Sequence, residues 1–251
     1  ADDANRAASL EFTVEATVIP LAIPYGRCKV GGVRTLHIIP PTSLAWILFW
    51  SGYSERSPWG NTTLSSLSHL ISGAVDYTVP TNARNAVTFS NTTLVHDNSK
   101  VSSRDRYKYQ NEVLIIQQAI CQGGINQILY AMVDQKPWET VKGVHINAYC
   151  DGNVVDPLIA QQGYTNNYFI DTAYATGAFL LDREKAQFGG APELQFLIEG
   201  LMIKFIEPVS AGVYRMTNNK SYSNNPALCI LDYLTNKKYG LGVAESTINL
   251  E

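Results

Sequence analysis

The chain has 251 residues, enough for one large or two small domains and a sizeable core. Apolar residues make up 45% and charged residues only 16%, with a formal charge of −3 and no Lys/Arg run. That balance excludes tight nucleic-acid binding through phosphates, and the longest continuous apolar run, Leu44 to Trp50, is too short to be a spanning helix.

Fourteen Tyr and 18 Gly favour strands and turns over long helices. Residues 1–9 are a polar lead-in. Short β-branched runs follow over 10–24, with Pro20 and Pro24 confining them to edges or bends. Tyr25 to Val33 reads as strand, turn, strand, and Arg34 to Ile39 continues the sheet up to Pro40-Pro41. The character changes from Ser43 to about Val101. Leu44 to Trp50 is apolar, Leu64, Leu67, Leu70 and Ile71 offer one short helix face, and Val75 to Val79 and Ala86 to Phe89 offer short strands. Asp97 to Arg106 is a polar loop.

Glu112 to Ile120 is a buried-strand run, turned at Gln122-Gly123-Gly124 and answered by Ile125 to Val133. Asp134-Gln135-Lys136-Pro137 is a turn. Val144 to Tyr149 and Ala173 to Leu181 are further strands, with a Gln/Asn/Tyr-rich loop over 160–172 between them. After the turn Gly189-Gly190-Ala191-Pro192, Glu193 to Ile198 alternates polar and apolar residues, and Met202 to Ile206 follows.

The clearest helix lies within Tyr222 to Val243. Asn224 or Asn225 serves as N-cap, Pro226 takes the first turn, and Leu228, Ile230, Leu231 and Leu234 form an apolar stripe. Asn236 suits a left-handed C-terminal position, and Lys237 and Lys238 complement the helix dipole. The expected fold is mainly β: a barrel-like domain from residues 1–42 and 106–215, an inserted α/β lobe over 43–105, and a C-terminal connecting helix within 216–251. Because residue 1 is Ala and Glu251 falls in mid-pattern, the chain is expected to be a piece of a longer protein.

The motifs of common catalytic sites are missing: no G-x-S-x-G, H-E-x-x-H, Walker loop or dinucleotide-binding glycine triad occurs. Cys28, Cys121, Cys150 and Cys229 form no C-x-x-C pair and read as reduced thiols rather than zinc ligands or two disulfides. His37, His69, His96 and His145 read as surface or satisfied core groups. Two carboxylate pairs, Asp182/Glu184 and Glu193/Glu199, are the nearest candidates for glycan hydrolysis, with solvated turn charges the simpler reading of the first. Trp46, Phe49, Trp50, Tyr53 and Trp59 could stack on a sugar or dock on a neighbouring subunit, the latter preferred. Triplets at Asn61, Asn91 and Asn219 match the glycosylation pattern at a frequency expected of an Asn/Thr-rich chain. No catalytic, cofactor-binding or metal-ligating residue is therefore assigned.

Four patches, taken in order, resemble the central tail hub of long-tailed bacteriophages, the family of tip attachment (host-specificity) and baseplate hub proteins. They are Ile23-Pro24-Tyr25-Gly26 through Gly31-Gly32-Val33; Leu114 to Asp134; Ala178 to Glu199; and Asn225-Pro226-Ala227-Leu228 through Leu234-Thr235-Asn236 to Tyr239-Gly240-Leu241-Gly242. The last is the most specific. The second departs from the pattern at Gln118, Gln122 and Gln135, where charged residues are expected. Residues 43–105 and the loop near 155–172 match nothing in the pattern.

The resemblance implies a virion protein without enzymatic activity or cofactor, assembled in the host bacterial cytoplasm and placed at the tail tip. It implies a homotrimer that caps the tail tube and adapts six-fold to three-fold symmetry. Its partners would be the tube or distal tail ring, the tape-measure protein and receptor-binding or fibre proteins. DNA would pass through without specific binding. The alternatives are a tail-associated cell-wall hydrolase and a secreted glycan-binding β protein.

Overall fold

The computed structural model describes residues 21–38, 44–48, 77–96, 113–166, 169–181, 188 and 190–250. The fold is mainly β, with curled sheets forming a half-barrel. Its strands are β1 (Arg27–Val30), β2 (Val33–Ile38), β3 (Leu44–Leu48), β4 (Val87–Ser90), β5 (Thr92–His96), β6 (Val113–Gln122), β7 (Ile125–Val133), β8 (Lys136–Pro137), β9 (Val144–Tyr149), β10 (Thr172–Leu180), β11 (Leu194–Ser210) and β12 (Val213–Tyr222). Among the described residues two α-helices join them, α1 (Pro157–Ala160) and α2 (Pro226–Thr235).

One sheet has the order β1-β11-β7-β8, with β12 also paired to β11; the other runs β2-β6-β10-β9-β4; β3 and β5 form a separate pair. The two glycine turns near the start of each half are not hairpins. β1 pairs with β11 while β2 pairs with β6, so the chain changes sheet at Gly31-Gly32. β6 and β7 part in the same way at Gly123-Gly124. The Asp134-Gln135 turn does close a tight hairpin, between β7 and β8: both residues have positive φ (49° and 62°), the geometry that matches the twist of paired strands.

This arrangement accounts for the hydrophobic patterns. β6 and β10 lie at the centre of their sheet and are buried on both faces, so they read as unbroken apolar runs. Ile116, Ile120, Ile146 and Phe179 face Ile128, Phe196 and Ile198 in one core between the sheets. Alternate residues of the same strands, Val113, Ile115, Ala178 and Leu180, point the other way and join Tyr77, Leu94, Leu158 and Ile159 in a second cluster. β11 bears on one main core only, so Leu194, Phe196 and Ile198 are buried and Gln195, Leu197 and Glu199 half-buried. Gln118, one of the departures from the family pattern, lies buried and donates to the Leu194 carbonyl oxygen at 3.1 Å, tying the second sheet to the first.

Several elements differ from the sequence reading. Glu193 to Ile198 and Met202 to Ile206 belong to one 17-residue strand. The polar stretch after it is β12, whose hairpin partner is the second half of β11. Its register shifts between Pro208 and Ser210, an irregularity of the kind where a strand tolerates proline. The boundary expected at residue 216 thus falls inside β12. Within 43–105, β4 is hydrogen-bonded to β9 and Phe89 belongs to the main core, so residues 87–90 are continuous with the sheet. The expected helix face over Leu64 to Ile71 and the polar loop over Asp97 to Arg106 lie outside the described residues.

A buried polar layer fixes the loop after β9. Asp156 caps α1 by accepting from the Leu158 amide at 2.8 Å. Its other oxygen accepts from Asn147 Nδ2 at 2.9 Å and from the Tyr149 hydroxyl at 2.7 Å. Tyr149, Tyr174 and Phe169 stack beside it with centroids 4.5 Å apart. Complete burial among these neutral donors pushes the Asp156 carboxyl up to about 6, against the downward pull of its hydrogen bonds. The folded state therefore holds the Asp156 proton more tightly than the unfolded chain, and this group's contribution to stability is lost as pH rises through about 6. Asp156→Asn removes one acceptor and leaves a buried donor unpaired, at a cost of about 2 kcal/mol. Thermal unfolding followed between pH 4.5 and 7.5 is expected to place D156N below wild type throughout. The gap should be widest at pH 4.5; a gap that widens with rising pH contradicts the assignment.

Candidate assembly surface

The site that the sequence motifs converge on is a clamp where α2 meets the half-barrel. Asn225 is the N-cap: its side chain accepts from the Ala227 amide at 3.0 Å, and Pro226 takes the position where a missing N–H costs nothing. The inward face carries Leu228 and Cys229 against the main core, and Leu231 is buried. Ile230 does not join that stripe, because the helix turns it outward. Asp232 does, four residues after Leu228 and three before Thr235, and it is buried.

Asp232 Oδ2 accepts from the Tyr25 hydroxyl and from the Tyr239 hydroxyl, each at 2.8 Å. Burial, together with the neighbouring carboxylate, raises both phenols and keeps them protonated donors. Tyr25 precedes the bend into β1, Tyr239 follows the helix, and one carboxylate holds the two ends of the described chain together.

The turn after the helix is built by Asn236 in extended backbone (φ −69°, ψ 123°), not in the left-handed position expected of it. Its side chain accepts from the Lys238 and Tyr239 amides instead. Gly240 then crosses so close to the helix that a Cβ there would lie 1.9 Å from the Tyr233 carbonyl oxygen. At the other side of the clamp, Gly200 of β11 donates to the Gly26 carbonyl oxygen at 2.7 Å, and a Cβ on it would meet the Pro24 carbonyl oxygen at 2.2 Å. The conspicuous residues of the first and last motifs are thus the parts of one joint.

Beyond Leu201, β11 leaves β1 and β7 and runs on with β12 alone as a two-stranded ribbon. No other strand among the described residues pairs with β12. The tip, Pro208 to Tyr214, carries no charge and is exposed, with the Glu207–Arg215 ion pair just behind it. Lys204 at the ribbon base pairs with Glu245 at 2.7 Å. Ile230 and Tyr233 are exposed on the outer face of α2, and Leu241 is exposed in the turn after it.

Of the sequence-predicted carboxylate pairs, the one that lies among the described residues does not come together. Glu193 and Glu199 are six residues apart along extended chain, about 20 Å, against the 5–10 Å that glycoside hydrolysis requires. Glu199 is held in its charged form by hydrogen bonds from Arg27 at 2.8 Å and Asn126 at 2.7 Å, the reverse of a general acid. Asp182 and Glu184 lie outside the described residues, as do His69, Asn61, Phe49, Trp50, Tyr53 and Trp59. Trp46 lies on β3, His37 on β2 and His96 on β5. His145 is a satisfied core group: Nδ1 lies 3.0 Å from Ser90 Oγ and Nε2 lies 3.1 Å from the Tyr77 carbonyl oxygen. All four cysteines are free thiols, and burial pushes Cys121 and Cys150 up to about 12. Asn91 spends its side-chain amide on the Val141 carbonyl oxygen, and Asn219 lies in β12. Among the described residues no cluster of His, Cys, Asp or Glu could hold a metal ion.

Sequence reasoning included Asp232 in the last motif without giving it a role, and it missed the ribbon. Asp232 was visible as a carboxylate at helical spacing inside an apolar stripe; for the ribbon, the turn dipeptide Ala211-Gly212 was the one signal.

No protein-family model matches the chain, and no curated protein matches it.

Asp232→Ala leaves two half-buried phenols without their acceptor and is expected to cost about 3 kcal/mol in urea unfolding, against about 1 kcal/mol for Tyr25→Phe or Tyr239→Phe alone. A double-mutant cycle between Tyr25→Phe and Asp232→Ala should return a coupling above 0.5 kcal/mol. Additive costs would mean that the clamp does not act as one unit.

Proposed function

We propose that this chain is a structural virion protein, the central hub of the tail tip of a long-tailed bacteriophage. Three copies cap the tail tube and adapt its six-fold symmetry to three-fold. They contact the tube or distal tail ring and the tape-measure protein, and anchor receptor-binding or fibre components. They open for DNA without holding it, since the low charge and the lack of a basic run offer no counterion-release binding. The protein is assembled in the host cytoplasm and resides at the virion tail tip.

The observation that carries this reading is the clamp. The two most specific patches of the resemblance lie some two hundred residues apart in the chain, yet Tyr25 and Tyr239 meet on Asp232. Motif residues that build one joint are what a shared architecture requires, whereas chance matches have no reason to touch. The joint also suits a connector that hands the chain onward from a half-barrel.

Electron microscopy of the native particle, with antibody against this chain, tests the proposal. The label is expected on a three-fold ring at one end of a tube. Particles lacking a ring there, or labelled elsewhere, would sink it.

A further inference from the structure

The run that follows α2 is held in two different ways along its length. Its first part is tied to the helix by backbone: the Leu241 amide donates to the Tyr233 carbonyl oxygen at 2.9 Å, Gly242 to that of Asn236 at 3.1 Å and Val243 to that of Leu234 at 2.8 Å. From Ala244 the backbone turns in on itself as a short 3₁₀ turn over Glu245–Thr247, with the Thr247 and Ile248 amides donating to the Ala244 and Glu245 carbonyl oxygens. Ile248 and Leu250 are half-buried, so this second part lies against the fold and does not project from it. Its tie to the ribbon is an ion pair, Lys204 Nζ to Glu245 Oε1 at 2.7 Å. Asn249 is engaged as well.

The ribbon side of that ion pair is a weak point of the sheet. In the β11–β12 register Lys204 lies directly opposite Lys220, and like charges facing across two strands repel. Glu245 carries the only charge in residues 239–250, and it brings a carboxylate to this lysine pair. Immediately beyond the lysines the ladder is interrupted. Phe205 of β11 stands against Thr217, Asn218 and Asn219 of β12, and its amide donates to Thr217 Oγ1 at 2.9 Å instead of to a backbone carbonyl. Extra residues on one strand bend and loosen a pair at that point. An isolated two-stranded ribbon is also marginal in water, so support at its base matters.

We infer that residues 244–250 are a strap, closed on the ribbon base by the charge of Glu245 and opening as a unit when that charge is screened or removed. Magnitude decides that the strap is latched and not locked. Side chains as exposed as Lys204 and Glu245, at 30% and 46%, shift an equilibrium by no more than about five-fold. By contrast, Asp232 on α2 is buried and accepts from two phenol hydroxyls, which holds the helix itself in place. Closed, the strap braces the ribbon where its ladder is interrupted. Open, it leaves the outer ribbon to swing about Phe205 and residues 217–219. No second chain takes part, so the strap is independent of the hub reading.

Amide exchange at Thr247 and Ile248, followed by nuclear magnetic resonance on the full chain, reads the closed fraction. Raising NaCl from about 50 mM to about 500 mM is expected to speed their exchange about three-fold in the wild type and to leave β6 and β10 unchanged. Glu245→Gln keeps the size and removes the charge. It should exchange at low salt as fast as the wild type does at high salt, with little further salt effect, and the Phe205 amide should speed with the strap. Lys204→Glu combined with Glu245→Lys rebuilds the pair with opposite polarity and is expected to restore slow, salt-sensitive exchange. Exchange at Thr247 and Ile248 that ignores both salt and Glu245→Gln overturns the strap. So does a charge swap that fails to restore it, because Glu245 would then act through packing. A Phe205 amide that stays fixed while the strap opens overturns the bracing of the ribbon.

Discussion

The structure depends on how one 17-residue strand satisfies its backbone. Each peptide group of β11 needs a hydrogen-bond partner, and no single neighbour reaches its whole length. From Leu194 to Leu201 the partners are β7 and β1; from Met202 onward the partner is β12. The exchange happens at Gly200, where the chain before β1 approaches so closely that a side chain would collide with the Pro24 carbonyl oxygen. The same short region receives α2. Half-barrel, ribbon and helix therefore share a single seam, and the seam is the place where a small change in chain direction would move all three.

A carboxylate at that seam is an economical lock. Buried charge is expensive unless it is hydrogen-bonded, and Asp232 is served by two phenols that are themselves partly buried and cannot easily ionise. Each group makes the others tolerable, so removing one member costs more than its own bond. Apolar packing of α2 through Leu228 and Cys229 would hold the helix without fixing its orientation; the two hydroxyl bonds set its rotation and its distance from β1. That rotation is also what turns Ile230 and Tyr233 outward.

Legibility in the sequence followed what each pattern physically reports. Strand positions were readable wherever burial was decisive, as in Val113 to Ile120 and Glu193 to Ile198. Pairing was not, because a Gly-Gly between two strands gives the same signal whether it closes a hairpin or carries the chain from one sheet to the other; Gly31-Gly32 and Gly123-Gly124 do the latter. The helix ends were readable at Asn225 but not at Asn236, since asparagine can end a helix by adopting the left-handed conformation or by accepting backbone N–H groups with its side chain. The ribbon was hard to read because its outer half has no core face, so β12 lacks the alternation that marks a half-buried strand.

Exposed ends of the fold carry the clearest conflict between local and global requirements. A surface this poor in charge has few devices for keeping strand edges apart, and charged side chains are the usual ones. β12 carries Arg215 and Lys220, yet the tip beyond the Glu207–Arg215 pair has none. A free-standing monomer would gain solubility by placing Lys or Glu at Val209 or Val213, and neither position is needed by the core.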